Sequence, residues 1–268
     1  MLQFWRCGCC APSGFLATPA DAPGSGVQRP HSAGPVDAEL LGDLVAANRI
    51  LADQGVLDGY GHVSIRHPDK PDHFILSRSL APALVRRADL MEFAADSEPV
   101  AGETRLSYLE RYIHGEIYRA RPDVTAVVHS HSPSVIPFGI SRTPMRALFH
   151  MSGFLAQGVP IFDIREKFGF TDMLVSNNAM GAALAEKLGD KPVALMRGHG
   201  NVAVGRTIQE AVYRAVFTEE NARMQRQAMG LDGPLIYLSP EEGANADATV
   251  MKTIARPWEL WKARVTVE

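Results

Sequence analysis

The sequence has no run approaching the roughly 20 apolar residues that a membrane-spanning helix needs, and its amino-terminal segment lacks the basic start and apolar stretch of a signal peptide. A cytoplasmic protein is the expectation. Charge of one dominant sign is also missing. With 27 basic and 30 acidic side chains the formal net charge is −3, which gives no electrostatic footprint for nucleic acid or an anionic membrane and favours a small-molecule partner. Cysteine is nearly absent. Cys7, Cys9 and Cys10 all fall within the first ten residues, so they cannot staple the rest of the chain, and a structural zinc site there would need a second ligand pair. No GxGxxG motif follows a strand pattern and no Walker-type loop occurs, so nucleotide binding has no support.

The chain does have length and apolar content. Its 268 residues, 46% of them hydrophobic, suffice for one large domain with a buried core. Residues 1–35 carry five prolines and five glycines without apolar periodicity and read as a disordered leader. The folded domain is expected over 36–229, with 230–268 as a less regular carboxy-terminal extension. From Asp37, a candidate N-cap, Leu40, Leu41, Leu44, Val45 and Leu51 recur at helical spacing until Gly55. Val63 and Ile65 alternate with polar neighbours and Phe74-Ile75-Leu76 follows a turn-like stretch, which predicts a hairpin. Further strands are expected over 90–94, 124–129, 159–162 and 193–196, and helices over 103–121, 151–157, 178–188 and 207–229. Strands and helices mix without a strict βαβ repeat, so the expected fold is α/β, a central mixed sheet flanked by helices.

Three histidines carry the chemistry. In His129-Ser130-His131 two imidazoles two residues apart leave a strand end on one face, suited to a shared metal. An isolated pair of this kind also describes two hydrogen-bonded histidines with no ion. Arg197-Gly198-His199-Gly200-Asn201 adds a third imidazole at a glycine-flanked turn beyond a neighbouring strand. Three neutral imidazoles with open positions suit one zinc or manganese ion, with iron or cobalt acceptable, better than magnesium. Glu110, on the polar side of the helix before the pair, is either a proton-transfer or ligating carboxylate or a solvated surface residue. His31, His67, His73, His114 and His150 are left to surface or supporting positions, with His150 the one that could approach a neighbour's site in an oligomer.

The run from Glu110 to His131, the Arg-Gly-His199-Gly turn and the Gly61-His62-Val63-Ser64-Ile65-Arg66 segment together resemble the class II aldolase and adducin family over residues 36–229. The resemblance implies a three-layer α/β/α domain, a metal on His129, His131 and His199, Glu110 as acid/base, and a homotetramer with sites near subunit interfaces. Sugar-phosphate members carry an asparagine where this chain has His62, and two serines where it has Tyr108 and Leu109. Losing small hydroxyl donors weakens a phosphate cradle. The resemblance is therefore better to the decarboxylase branch, which acts on hydroxylated aromatic or ring-cleavage dicarboxylates. Arg78 within Leu76-Ser77-Arg78-Ser79, with His62 or Arg66, is expected to hold a second substrate carboxylate. Two other functions fit the same pattern: an aldolase of hydroxy or keto acids, and a non-catalytic adducin-like interaction module.

Overall fold

A computed structural model describes residues 29–265; Cys7, Cys9, Cys10 and most of the expected leader lie outside the described residues. The first helix, α1 (Ala38–Asp53), starts where Asp37 accepts hydrogen bonds from the backbone N–H groups of Glu39 and Leu40, and it stops at Gly55, whose φ is +68°. Strands β1 (His62–Arg66) and β2 (Phe74–Ser77) form the expected hairpin, and β3 (Leu90–Phe93) pairs with β2. Next come α2 (Arg111–Ala120), β4 (Ala126–Ser130), the short α3 (Ile136–Ile140), β5 (Ile161–Phe162) and the short α4 (Arg165–Phe168). Helix α5 (Asn178–Leu188) is capped by the Asn177 side chain at one end and Gly189 at the other. The chain continues through β6 (Val193–Met196), β7 (Gly200–Gly205), α6 (Ile208–Ala228), α7 (Pro240–Val250) and α8 (Ala255–Val265).

The seven strands form one sheet in the order β3-β2-β1-β4-β7-β6-β5, antiparallel throughout except for the parallel β5–β6 pair. Period-two alternation sends each strand's side chains to two separate cores. Val63, Ile65, Val128 and Ala203 pack with Leu44, Ile50 and Leu51 of α1 and Ala211 and Val212 of α6. Leu76, Val127, Val202 and Val204 pack on the opposite face with Ile113 and Ile117 of α2 and Leu184 and Leu188 of α5. The result is the expected three-layer arrangement with a mixed central sheet.

Several expectations are corrected. The helix over 103–121 is only α2, because the segment before it commits its polar groups elsewhere. Glu103 accepts from the backbone N–H groups of Thr104 and Arg105, the Leu106 carbonyl accepts from Ser79 N–H, and Leu106 is 76% exposed. Over 151–157 there is instead a 3-10 helix, His150–Leu155, kinked at Ser152. Strand β7 was unforeseen, yet it lies between β4 and β6. Residues of the expected leader are docked: Glu92 accepts from Ser32 and Ala33, and Pro30 accepts from Ala101 N–H.

The largest correction concerns the carboxy-terminal segment, which is helical. Ser239 and Glu242 form a capping box at the start of α7, and Trp258 and Trp261 of α8 are buried in the core beside α1 and α6. The Trp261→Ala substitution is thus expected to cost about 3–5 kcal/mol, the usual penalty for emptying a core aromatic site. Urea unfolding would register it as a lowered midpoint with the slope unchanged. A shift within error would mean that α8 merely decorates the surface.

Candidate active site

The alternation that builds the α2-facing core also places polar groups there. His62, Ser64 and Arg66 of β1 lie on that face, and the β1–β4 register puts His62 directly opposite His129. His131 follows just beyond the end of β4. His199 sits in the tight turn between β6 and β7, where Gly198 adopts φ +64°. A Cβ on Gly200 would stand 2.0 Å from the Ser130 carbonyl oxygen, so glycine is what lets β7 close against β4 at this point. Glu110 is the residue immediately before α2, and its Oε1 accepts a 3.0 Å hydrogen bond from Val175 N–H.

These elements bring four donor groups together. His131 Nε2 lies 3.2 Å from His129 Nε2 and 3.1 Å from His199 Nε2, and Glu110 Oε2 lies 3.4 and 3.3 Å from the Nε2 atoms of His129 and His199. All four ligand atoms fall within 4.8 Å of one another. Partners on the far side of two rings fix their tautomers. His129 Nδ1 donates to the Asn201 carbonyl at 3.2 Å and His199 Nδ1 to the Met173 carbonyl at 2.9 Å, which leaves both Nε2 lone pairs directed at the centre.

Lone pairs and a carboxylate at such distances repel unless a cation or protons lie among them. Burial, then the neighbouring His129 and His199, lowers His131 to a pKa of about 4, so that ring is neutral at ordinary pH. Burial alone would raise the Glu110 carboxyl, but facing His129 and His199 holds it well below the usual carboxylate range. A metal–nitrogen bond of about 2.0–2.1 Å implies nitrogens roughly 2.9 Å apart at right angles and roughly 3.3 Å apart at the tetrahedral angle. The nitrogen spacings of 3.1 and 3.2 Å fall in that interval and the carboxylate oxygen lies at its edge, 3.3 and 3.4 Å from two of the nitrogens, so this His/Glu cluster fits a divalent metal ion.

Beside the cluster lies a cavity of about 310 Å³ whose lining includes His131, Glu110, His62, Tyr108, Tyr60 and Leu174, together with Ser79 and Leu80. The residues expected to bind substrate are thus divided. His62 and Ser79 line the cavity. Ser77 is fully buried beneath it, its hydroxyl 3.2 Å from that of Tyr108. Arg78 is paired through Nε with Asp89 Oδ1 at 2.6 Å and lines a different groove. Arg66 is committed to the carbonyls of Val124, Pro71, Tyr118 and Arg121 at the far end of β1. Among the described residues the cavity wall carries no arginine or lysine.

Two residues take more definite places than the sequence reading assigned them. Tyr108 closes one wall, with its hydroxyl donating to the Leu80 carbonyl and its ring centroid 4.6 Å from that of His62. His114, left to a surface or supporting position, takes the supporting one, fully buried and 2.6 Å from His62. Its position four residues after Glu110 was the available signal. His73 bonds Glu92 and His67 approaches the Gly34 carbonyl, both apart from the cluster, while His31 and His150 are exposed.

Residues 42–226 match the family described as the Class II Aldolase and Adducin N-terminal domain. The decarboxylase tropJ of Talaromyces stipitatus is 41% identical, over 83% of this chain and 92% of that protein. The 3,4-dihydroxyphthalate decarboxylase of Arthrobacter keyseri is 31% identical over 72% of this chain and 79% of its own length. The solved L-fuculose 1-phosphate aldolase of Glaciozyma antarctica shares the fold, with a TM-score of 0.70 at 24% identity, covering 87% of this chain and 93% of that one. Two partly identical decarboxylases and a metal-fitting cluster make the chain a lyase, and it belongs to the class II aldolase and adducin family.

Proposed function

We propose that this lyase removes carbon dioxide from a hydroxylated aromatic or ring-cleavage dicarboxylate, with His129, His131 and His199 holding one transition-metal ion, zinc or manganese, and Glu110 moving the proton. The observation that carries the reading is the convergence of the three Nε2 atoms, two of them with tautomers fixed by backbone carbonyls. When bound, the ion supplies positive charge beside oxygens that become more negative as a carbon–carbon bond breaks. Names of the relatives, 3,4-dihydroxyphthalate decarboxylases among them, support the substrate class.

Glu110 Oε2 lies at the cavity wall with its position set by Val175 N–H on Oε1. It takes the proton from a hydroxyl ortho to the departing carboxylate. Glu110 delivers that proton to the ring carbon bearing the carboxylate, which gives a dienone whose carboxylate bond stands out of the ring plane. That bond breaks, carbon dioxide leaves, the electron pair restores the aromatic ring with negative charge on the former hydroxyl oxygen, and a proton from water restores the hydroxyl. Tyr108, Leu80 and Leu174 present flat or apolar surface to a ring. With Arg66 and Arg78 occupied, Tyr60 and Ser79 on the cavity lining are the polar groups left for a second carboxylate. Leu109, 62% exposed at the cavity rim, and Phe170, 98% exposed, support a homo-oligomer, a tetramer in keeping with the resemblance, in which a neighbour covers the site.

Protein loaded with zinc or manganese is expected to release one carbon dioxide for each product molecule from 3,4-dihydroxyphthalate or a related hydroxyarene dicarboxylate. An aldehyde product without gas would assign an aldolase instead. A metal content far below one ion per chain would point to a binding module.

A further inference from the structure

A row of buried polar groups runs from the cavity into the α2-facing core. His62 Nδ1 lies 2.6 Å from His114 Nε2, His114 Nδ1 lies 2.6 Å from Ser64 Oγ, and Ser64 Oγ lies 2.7 Å from the Tyr118 hydroxyl. All four residues are buried. Three bonds in series among groups that can each donate or accept have two self-consistent directions, and whatever the last hydroxyl must do selects between them.

Tyr118 selects. Ser64 Oγ, 2.7 Å away, is the side-chain partner of its hydroxyl, and a buried O–H left undonated costs more than an unused oxygen lone pair. The Tyr118 proton therefore goes to Ser64. Ser64 then donates to His114 Nδ1, and His114 donates from Nε2 to His62 Nδ1. The remaining proton of His62 must sit on Nε2, the ring atom left for the cavity that His62 lines.

We infer that this chain is polarised from Tyr118 to His62 and fixes His62 as an N–H donor into the cavity, where it holds the substrate oxygen that gains negative charge. The arrangement opposes that of the cluster beside it. His129 and His199 are held with the proton on Nδ1 and the lone pair inward, whereas His62, its ring centroid 5.1 Å from that of His129, is held with the proton inward. One side of the pocket can thus ligate a cation while the other donates a hydrogen bond to a ligand of that cation. His114, Ser64 and Tyr118 are positioning residues in this scheme.

The use of the donor rests on the decarboxylase reading, but the tautomer does not, and the test separates them. Nitrogen NMR of the zinc-loaded protein labelled in histidine, with signals assigned by loss in single-histidine variants, is expected to place the protons of His62 and His114 on Nε2. A proton on Nδ1 of either ring overturns the inference whatever the reaction. In turnover, His62→Gln, whose amide can present an N–H near the Nε2 position, should keep kcat within about tenfold, whereas His62→Leu should lower it roughly 10²-fold, as loss of one oxyanion donor does. Equal losses in the two variants would exclude a donor role. Ser64→Ala is expected to let both His62 tautomers appear and to lower kcat several-fold with KM little changed. An unaltered tautomer and kcat in that variant would show that the buried chain does not set it.

Discussion

His199→Ala protein is expected to purify with far less than one metal ion per chain and to lose at least about 10³-fold in decarboxylation rate, since metal stabilisation of developing charge is worth several kcal/mol and each 1.4 kcal/mol is tenfold. The fold should survive. His199 projects from the turn between β6 and β7, and its backbone bond to Met196 and the β7 pairings on either side do not use its imidazole. What the substitution removes is one of three Nε2 lone pairs, together with the ring that Met173 orients. A second reading comes from stability. A ligand that binds only the folded state raises the melting temperature by mass action, so added zinc or manganese should stabilise the wild-type chain and leave His199→Ala nearly unmoved. Full metal occupancy in the variant would remove His199 from the ligand set and with it the proposed centre.

That the trio was legible in the sequence has a local cause. An HxH pair at a strand end and a histidine between two glycines announce both residue type and direction without knowledge of the rest of the fold. Helix α1 was legible for the same reason, since Asp37 caps it with its own side chain. What failed was long-range. Arg66 and Arg78 are the right residue type for a carboxylate, but the carbonyls of Val124, Tyr118 and Arg121 and the carboxylate of Asp89 claim them only once the chain has folded. Strand β7 was hidden because Gly200 and Gly205 bracket it and glycine signals a turn. Its glycine serves close approach to Ser130, a need that arises from the neighbouring strand. Leu106 and Leu109 continued the periodicity of α2 backwards, yet both face outward, so an apolar repeat was read as a buried helix face that is not there.

Glu110→Gln is the companion substitution, and its expected outcome differs from that of His199→Ala in kind. The three imidazoles remain, so metal content should stay near one ion per chain while kcat falls by about 10²–10⁴-fold, the range for loss of a positioned acid/base group. Glutamine preserves shape and can still accept from Val175 N–H through its carbonyl oxygen, so the loss reports proton chemistry rather than collapse of the wall. With an ion held among the three Nε2 atoms beside it, the wild-type carboxyl would be ionised when substrate arrives, against the opposing effect of burial. It can therefore accept the hydroxyl proton at once. Run in heavy water, the wild-type reaction should place one deuterium on the carbon that lost its carboxylate. In the variant that incorporation should slow in step with kcat, since the amide has no proton of suitable acidity to deliver. Unchanged turnover would take Glu110 out of the proton path, and loss of the metal would move it from acid/base to ligand.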